Sequence, residues 1–65
     1  MKIKKGDWIR TLNGVCLVKR FRSEMNTENM LVFEVYYPET KIFAVVMYSN
    51  IFEKIDINDY PEYKL

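Results

Sequence analysis

Few residues of this chain could do covalent chemistry, and their types set narrow limits. Cys16 is the only cysteine, and there is no histidine. One thiol cannot form an internal disulfide. Without histidine there is no Ser-His or Cys-His dyad and no tetrahedral Cys/His zinc site. Cys16 stands among Val15, Leu17 and Val18, where a thiol reads as a small core residue rather than a nucleophile. Asp56, Asp59 and Glu62 recur every three residues, as on one helical face, yet no glycine-hinged calcium loop accompanies them. A solvated acidic tail is the expectation there. Phosphate-loop and dinucleotide glycine motifs are missing as well. These residues predict no catalytic site, no metal and no cofactor, so the expected activity is binding.

Charge supplies one candidate for that binding. The formal net charge is only +1, but the charges are sorted along the chain. Residues 1–22 hold Lys2, Lys4, Lys5, Arg10, Lys19, Arg20 and Arg22 against Asp7, a balance of +6. Residues 23–65 hold Lys41, Lys54 and Lys64 against eight carboxylates, a balance of −5. In one reading, Lys5, Arg10, Lys19, Arg20 and Arg22 meet nucleic-acid phosphates or an acidic protein while Trp8 offers a stacking surface. In the other, the basic segment neutralises the acidic remainder across a sheet, where opposite charges pair. If Ile9 points inward, strand alternation turns Trp8 outward. It is then either an anchor for a partner or a surface covered by the C-terminal tail through Tyr60 or Tyr63.

The second candidate is apolar. Residues 42–48 carry no charge, with Phe43, Val45 and Met47 on one strand face and Ile42, Ala44, Val46 and Tyr48 on the other. A small antiparallel sheet solvates one face, so its strands should alternate apolar and polar. This run does not, and 65 residues cannot bury both of its faces. Either the tail covers one face or another protein molecule does. Tyr36, on the wetter face of its segment, could extend the patch. A protein interface at Tyr36, Phe43, Val45, Met47 and Tyr48, with a second copy or a different protein, is expected, because contiguous exposed apolar surface is otherwise a liability.

The elements that must position these groups are short. At 49% hydrophobic and 29% charged residues, the chain has the composition of one folded domain. Segments 7–12, 15–22, 30–37, 42–48 and 51–55 are rich in Val, Ile, Phe and Tyr and read as strands. Asn13-Gly14 marks a tight hairpin, because both residues tolerate positive φ. Residues 23–29 read as a long polar loop, residues 38–41 as a turn with proline placed early, and Ser49-Asn50 as a 3₁₀ break. A helix over 42–48 is the alternative, with Ile42, Val45 and Val46 as its stripe, but β-branched content favours a strand. In the second strand Cys16 and Val18 share a face with Arg20, while Val15, Leu17 and Phe21 share one with Lys19. A bulge near Lys19 would let both apolar sets serve the core.

Residues Lys4-Lys5-Gly6-Asp7-Trp8-Ile9-Arg10, followed by residues 13–18, resemble the first hairpin of SH3-like small barrels, including KOW, CarD-like and Tudor-like members. Residues 49–55 are similar to the 3₁₀ turn and last strand of such barrels. The chain departs from the CarD-like pattern at Cys16-Leu17, where a glycine is common. The resemblance implies an all-β fold, a small five-stranded antiparallel SH3-like barrel over residues 1–56 with a short C-terminal tail at 57–65. Members bind RNA polymerase, ribosomal RNA, peptides or modified side chains, so the fold alone sets no ligand.

The expected function is a non-enzymatic protein-interaction module, such as a small bacterial or phage regulator docking on a larger protein machine. A nucleic-acid-binding barrel and an obligate homo-oligomer are the alternatives. The abundance of Lys, Ile, Asn and Tyr goes with AT-rich bacterial or phage genomes. No run is long enough to span a bilayer, and one cysteine beside four methionines fits the cytoplasm.

Overall fold

A computed structural model describes residues 2–22 and 31–63. It contains five strands, β1 (Trp8–Thr11), β2 (Gly14–Phe21), β3 (Val32–Tyr37), β4 (Ile42–Met47) and β5 (Ile51–Ile55). All pairings are antiparallel, in the order β4-β3-β2-β1-β5. Residues 42–47 form a strand, not the alternative helix, and Tyr48–Asn50 makes the expected 3₁₀ turn before β5. The tail adds two more 3₁₀ turns, Ile57–Asp59 and Pro61–Tyr63. The loop expected at residues 23–29 lies outside the described residues.

Local chemistry explains the entry into β1. Gly6 takes φ +92, a conformation that a Cβ would strain, and its N–H donates to the Val18 carbonyl at 2.9 Å. Asp7 closes the turn from both sides: its N–H donates to the Lys4 carbonyl, and its carboxylate accepts the Lys4 N–H at 2.9 Å. The Gly-Asp pair is therefore a structural clasp between the N-terminal segment and β2.

The β1–β2 hairpin differs from the expected geometry. Thr11 pairs with Gly14, so the loop is Leu12-Asn13, and neither residue has positive φ. Gly14 alone carries the reversal, at φ +118. The hydroxyl of Thr11 supports the turn by accepting the Asn13 N–H at 3.2 Å. At the β3–β4 turn, Lys41 adopts the left-handed conformation (φ 60) and its N–H donates to the Tyr37 carbonyl at 2.7 Å, closing a one-turn loop over residues 38–41.

The bulge expected near Lys19 is present: the β2–β3 register shifts between Val18 and Arg20. Before it, Cys16 and Val18 point inward; after it, Phe21 faces Phe33 with ring centroids 5.5 Å apart. The core is Ile9, Cys16, Val18, Phe33, Val35, Tyr37, Val46 and Ile51. One buried polar pair crosses it, the hydroxyls of Thr11 and Tyr37 at 2.8 Å.

The sheet does not close. β4 pairs only with β3 and β5 only with β1, so a hydrogen-bonded barrel is corrected to an open, curled five-stranded sheet. The Tyr48–Asn50 turn moves the chain from one edge of the sheet to the other. Tyr37, Val46 and Ile51 belong to one buried cluster, so apolar contact, not a backbone ladder, joins the two edges. Ile9 is wholly buried at the centre of this core, and Ile9→Ala should cost about 2–5 kcal/mol. Urea melts monitored by circular dichroism check this; a loss below about 1 kcal/mol would mean that Ile9 does not anchor the core.

Candidate interaction surface

Residues opposite one another in an antiparallel ladder share a face. Ile55 pairs with Trp8, Trp8 with Leu17, Leu17 with Tyr36, and Tyr36 with Phe43. One apolar row therefore crosses all five strands on the outer face, opposite the core. Its β5-to-β3 part is half-buried, whereas Phe43 at the β4 end is 67% exposed. The Tyr36 and Phe43 rings meet at 4.7 Å and 46°. Val45 and Met47 continue the exposed end along β4, at 46% and 36% exposure, and Ile42 stands 55% exposed at its start. Four of the five expected interface residues, Tyr36, Phe43, Val45 and Met47, thus occupy one outer patch.

Tyr48 does not join them. It packs against the core and, with Ile3, Phe21, Leu31 and Phe33, lines a shallow apolar hollow of about 310 Å³. Strand parity sets Tyr48 on the face opposite Phe43, Val45 and Met47, the core side, and the 3₁₀ turn begins there.

The cations expected to meet phosphates are largely occupied. Arg10 holds Glu53 across the β1–β5 pair at 2.6 Å, and its guanidinium lies 5.1 Å from the Phe52 ring centroid. Arg20 and Arg22 converge on Glu34 at 2.6 and 2.7 Å. Lys54 reaches Asp7 at 3.4 Å. Lys5 and Lys19 are exposed, in the turn before β1 and at the bulge. Trp8 sits half-buried between Leu17 and Ile55, with Arg10 turned to Phe52 on the neighbouring strand. The three arginines of residues 1–22 are thus paired across the sheet, as cross-strand neutralisation predicts, while Lys2, Lys4, Lys5 and Lys19 are exposed.

The tail is tied down at its far end. The Tyr63 hydroxyl donates to Glu39 at 2.8 Å, which raises the Tyr63 pKa, and Tyr60 and Tyr63 stack at 6.2 Å. Asp56 caps its own 3₁₀ turn by accepting the Asn58 N–H at 2.9 Å, a structural role for one of the three spaced carboxylates. No cluster of metal-ligating side chains occurs among the described residues. Cys16 is buried, and burial pushes its thiol up to about 11, against a smaller lowering by its hydrogen bond to Tyr37. The thiol is protonated at neutral pH and is a poor nucleophile. Among the described residues no helix is long and apolar enough to cross a membrane.

Sequence reasoning missed Leu17, Ile55 and Phe52. Leu17 and Ile55 join the row only once the register is known, and Phe52 faces Arg10 because the β1–β5 register slips between Arg10 and Thr11. No family model, curated protein or solved structure matches this chain.

Glu34 gives the charge cluster a measurable signature. The hydrogen bond from Arg20, aided by Arg22, holds its carboxyl below the usual range despite some desolvation. A depressed carboxylate stabilises the fold above its unfolded-state pKa, about 4.3, and loses that contribution as pH falls through the folded value. Glu34→Gln should therefore lower the melting temperature at pH 7, with the gap to wild type narrowing below about pH 4.5. A pH-independent gap would contradict this account of the cluster.

Proposed function

We propose that this chain is a non-enzymatic protein-interaction module whose contact surface is the outer face of β3 and β4, at Tyr36, Phe43, Val45 and Met47. One observation carries the reading: an uncharged edge strand presents three outward apolar side chains beside a tyrosine, and nothing among the described residues covers them. Patches of this kind mark protein contacts. Aromatic and methionine side chains are also enriched in interface centres. The Gly6-Asp7 clasp and the 3₁₀ turn leading into β5 fit the SH3-like resemblance, whose members include peptide and protein binders.

The nucleic-acid reading is weaker, because Arg10, Arg20 and Arg22 are already held by Glu53 and Glu34. It would rest on the exposed lysines Lys2, Lys4, Lys5 and Lys19, of which Lys19 sits on a different strand from the N-terminal three. Phosphate binding driven by counterion release needs several free cations on one track.

A photo-crosslinking amino acid, p-benzoylphenylalanine, placed at position 43 and at position 19 in producing cells, separates the two. The expected result is a discrete protein adduct from position 43 and none from position 19. No adduct from position 43, together with a salt-sensitive shift of DNA or RNA at about 50 mM salt, would overturn the proposal in favour of nucleic acid.

A further inference from the structure

The sheet's two edges are made differently. β5 carries Glu53 and Lys54 in its middle, charges that discourage pairing with another strand. β4 is Ile-Phe-Ala-Val-Val-Met, without charge, proline or bulge in its pairing with β3. The phase of its hydrogen bonds is fixed by one contact: Tyr48 N–H donates to the Leu31 carbonyl at 2.8 Å. In an antiparallel ladder, bonding to one neighbour alternates along the strand. Residues 42, 44 and 46 therefore direct their backbone polar groups to β3, and Phe43, Val45 and Met47 direct theirs to the open edge. The residues with exposed outer side chains are also those whose amides and carbonyls face the edge, where no strand among the described residues pairs with them.

We infer that β4 pairs with β4 of a second copy of this chain, antiparallel about a two-fold axis at Val45, joining two sheets into one. This rests on the protein-interaction reading above and names the partner. In that register Val45 lies opposite Val45, and Phe43 lies opposite Met47 of the partner subunit. About six backbone hydrogen bonds form between the edges. Phe43, Val45 and Met47 of both copies then make one continuous outer surface. No like charges meet. Lys41, the cation flanking β4, falls opposite Ser49 of the partner subunit, and Glu34, which lies across from Val45 within each sheet, is already neutralised by Arg20 and Arg22.

A second copy suits this edge better than a head-to-tail neighbour. Pairing β4 with the charged β5 of another molecule would strand Glu53 and Lys54 against apolar groups and would propagate without closing. Two β4 edges close on each other and leave only β5 edges outside, so growth stops at two. The contact consists of the backbone hydrogen bonds and the side-by-side packing of Phe43, Val45 and Met47 across the joined edges, and an interface this narrow fits micromolar affinity.

Sedimentation equilibrium of the full chain should show the mass rising from monomer to twice that value across micromolar concentrations and no further. Val45→Lys should remain monomeric at every concentration with an unchanged circular dichroism spectrum. A cysteine at the axis gives an independent check, because Cys16 is buried. Paired Val45 Cα atoms would lie about 5.5 Å apart, within disulfide reach, whereas Phe43 would lie about 14 Å from its symmetry mate. Oxidised Val45→Cys should therefore give about tenfold more covalent dimer than Phe43→Cys. Equal yields from the two variants, or a monomeric wild type, would overturn the two-fold pairing. If the chain is monomeric yet position 43 still photo-crosslinks to a different protein, this inference falls and the interaction reading stands. If it neither dimerises nor crosslinks, both fall.

Discussion

An open antiparallel sheet must do something with its two edges, and in this chain that constraint organises most of what the residues do. Five strands of four to eight residues curl far enough to bury one face, but the ladder stops at β4 on one side and β5 on the other. The Tyr48–Asn50 turn places the two edge strands next to each other in sequence, while the sheet order keeps them apart. Ile51, Val46 and Tyr37 join the two sides through side chains alone. Backbone pairing therefore remains unspent at β4, the strand with the least polar sequence.

The charged residues complement this arrangement. Register carries the arginines of the basic first third of the chain onto carboxylates of other strands. Arg10 meets Glu53 between β1 and β5, and Arg20 and Arg22 meet Glu34 between β2 and β3. Each pair is exposed or half-exposed, so each contributes modestly to stability. Their larger effect is on specificity. They neutralise the outer face on either side of the apolar row and leave β4 as its uncovered end.

Much of the fold was legible in the sequence, for physical reasons that can be named. β-Branched and aromatic runs between turn residues located all five strands, and the two competing apolar parities in residues 15–21 pointed to a bulge near Lys19, where the register shifts between Val18 and Arg20. Asn13-Gly14 and the break at Ser49-Asn50 marked chain turns, although the hairpin turns on Gly14 alone. Register was not legible. It decides that Arg10 finds Glu53 and that Leu17 and Ile55 extend the Trp8 row. Those facts depend on which residues lie opposite one another across tens of positions, and strand parity within one segment carries no such information. The apolar patch was readable because it is local to β4, whereas the fate of the basic residues was not because it is not local.

Pairing of β4 with a second copy puts its outward amides in use. Hydrogen exchange resolved by residue and followed against protein concentration reads this directly. Exchange at Phe43, Val45 and Met47 is expected to slow as concentration rises through the micromolar range. Core amides such as Val35 should stay protected throughout. If those three amides exchange at the same fast rate at every concentration, β4 is an open edge with no occupant of its own kind, and the central claim is wrong.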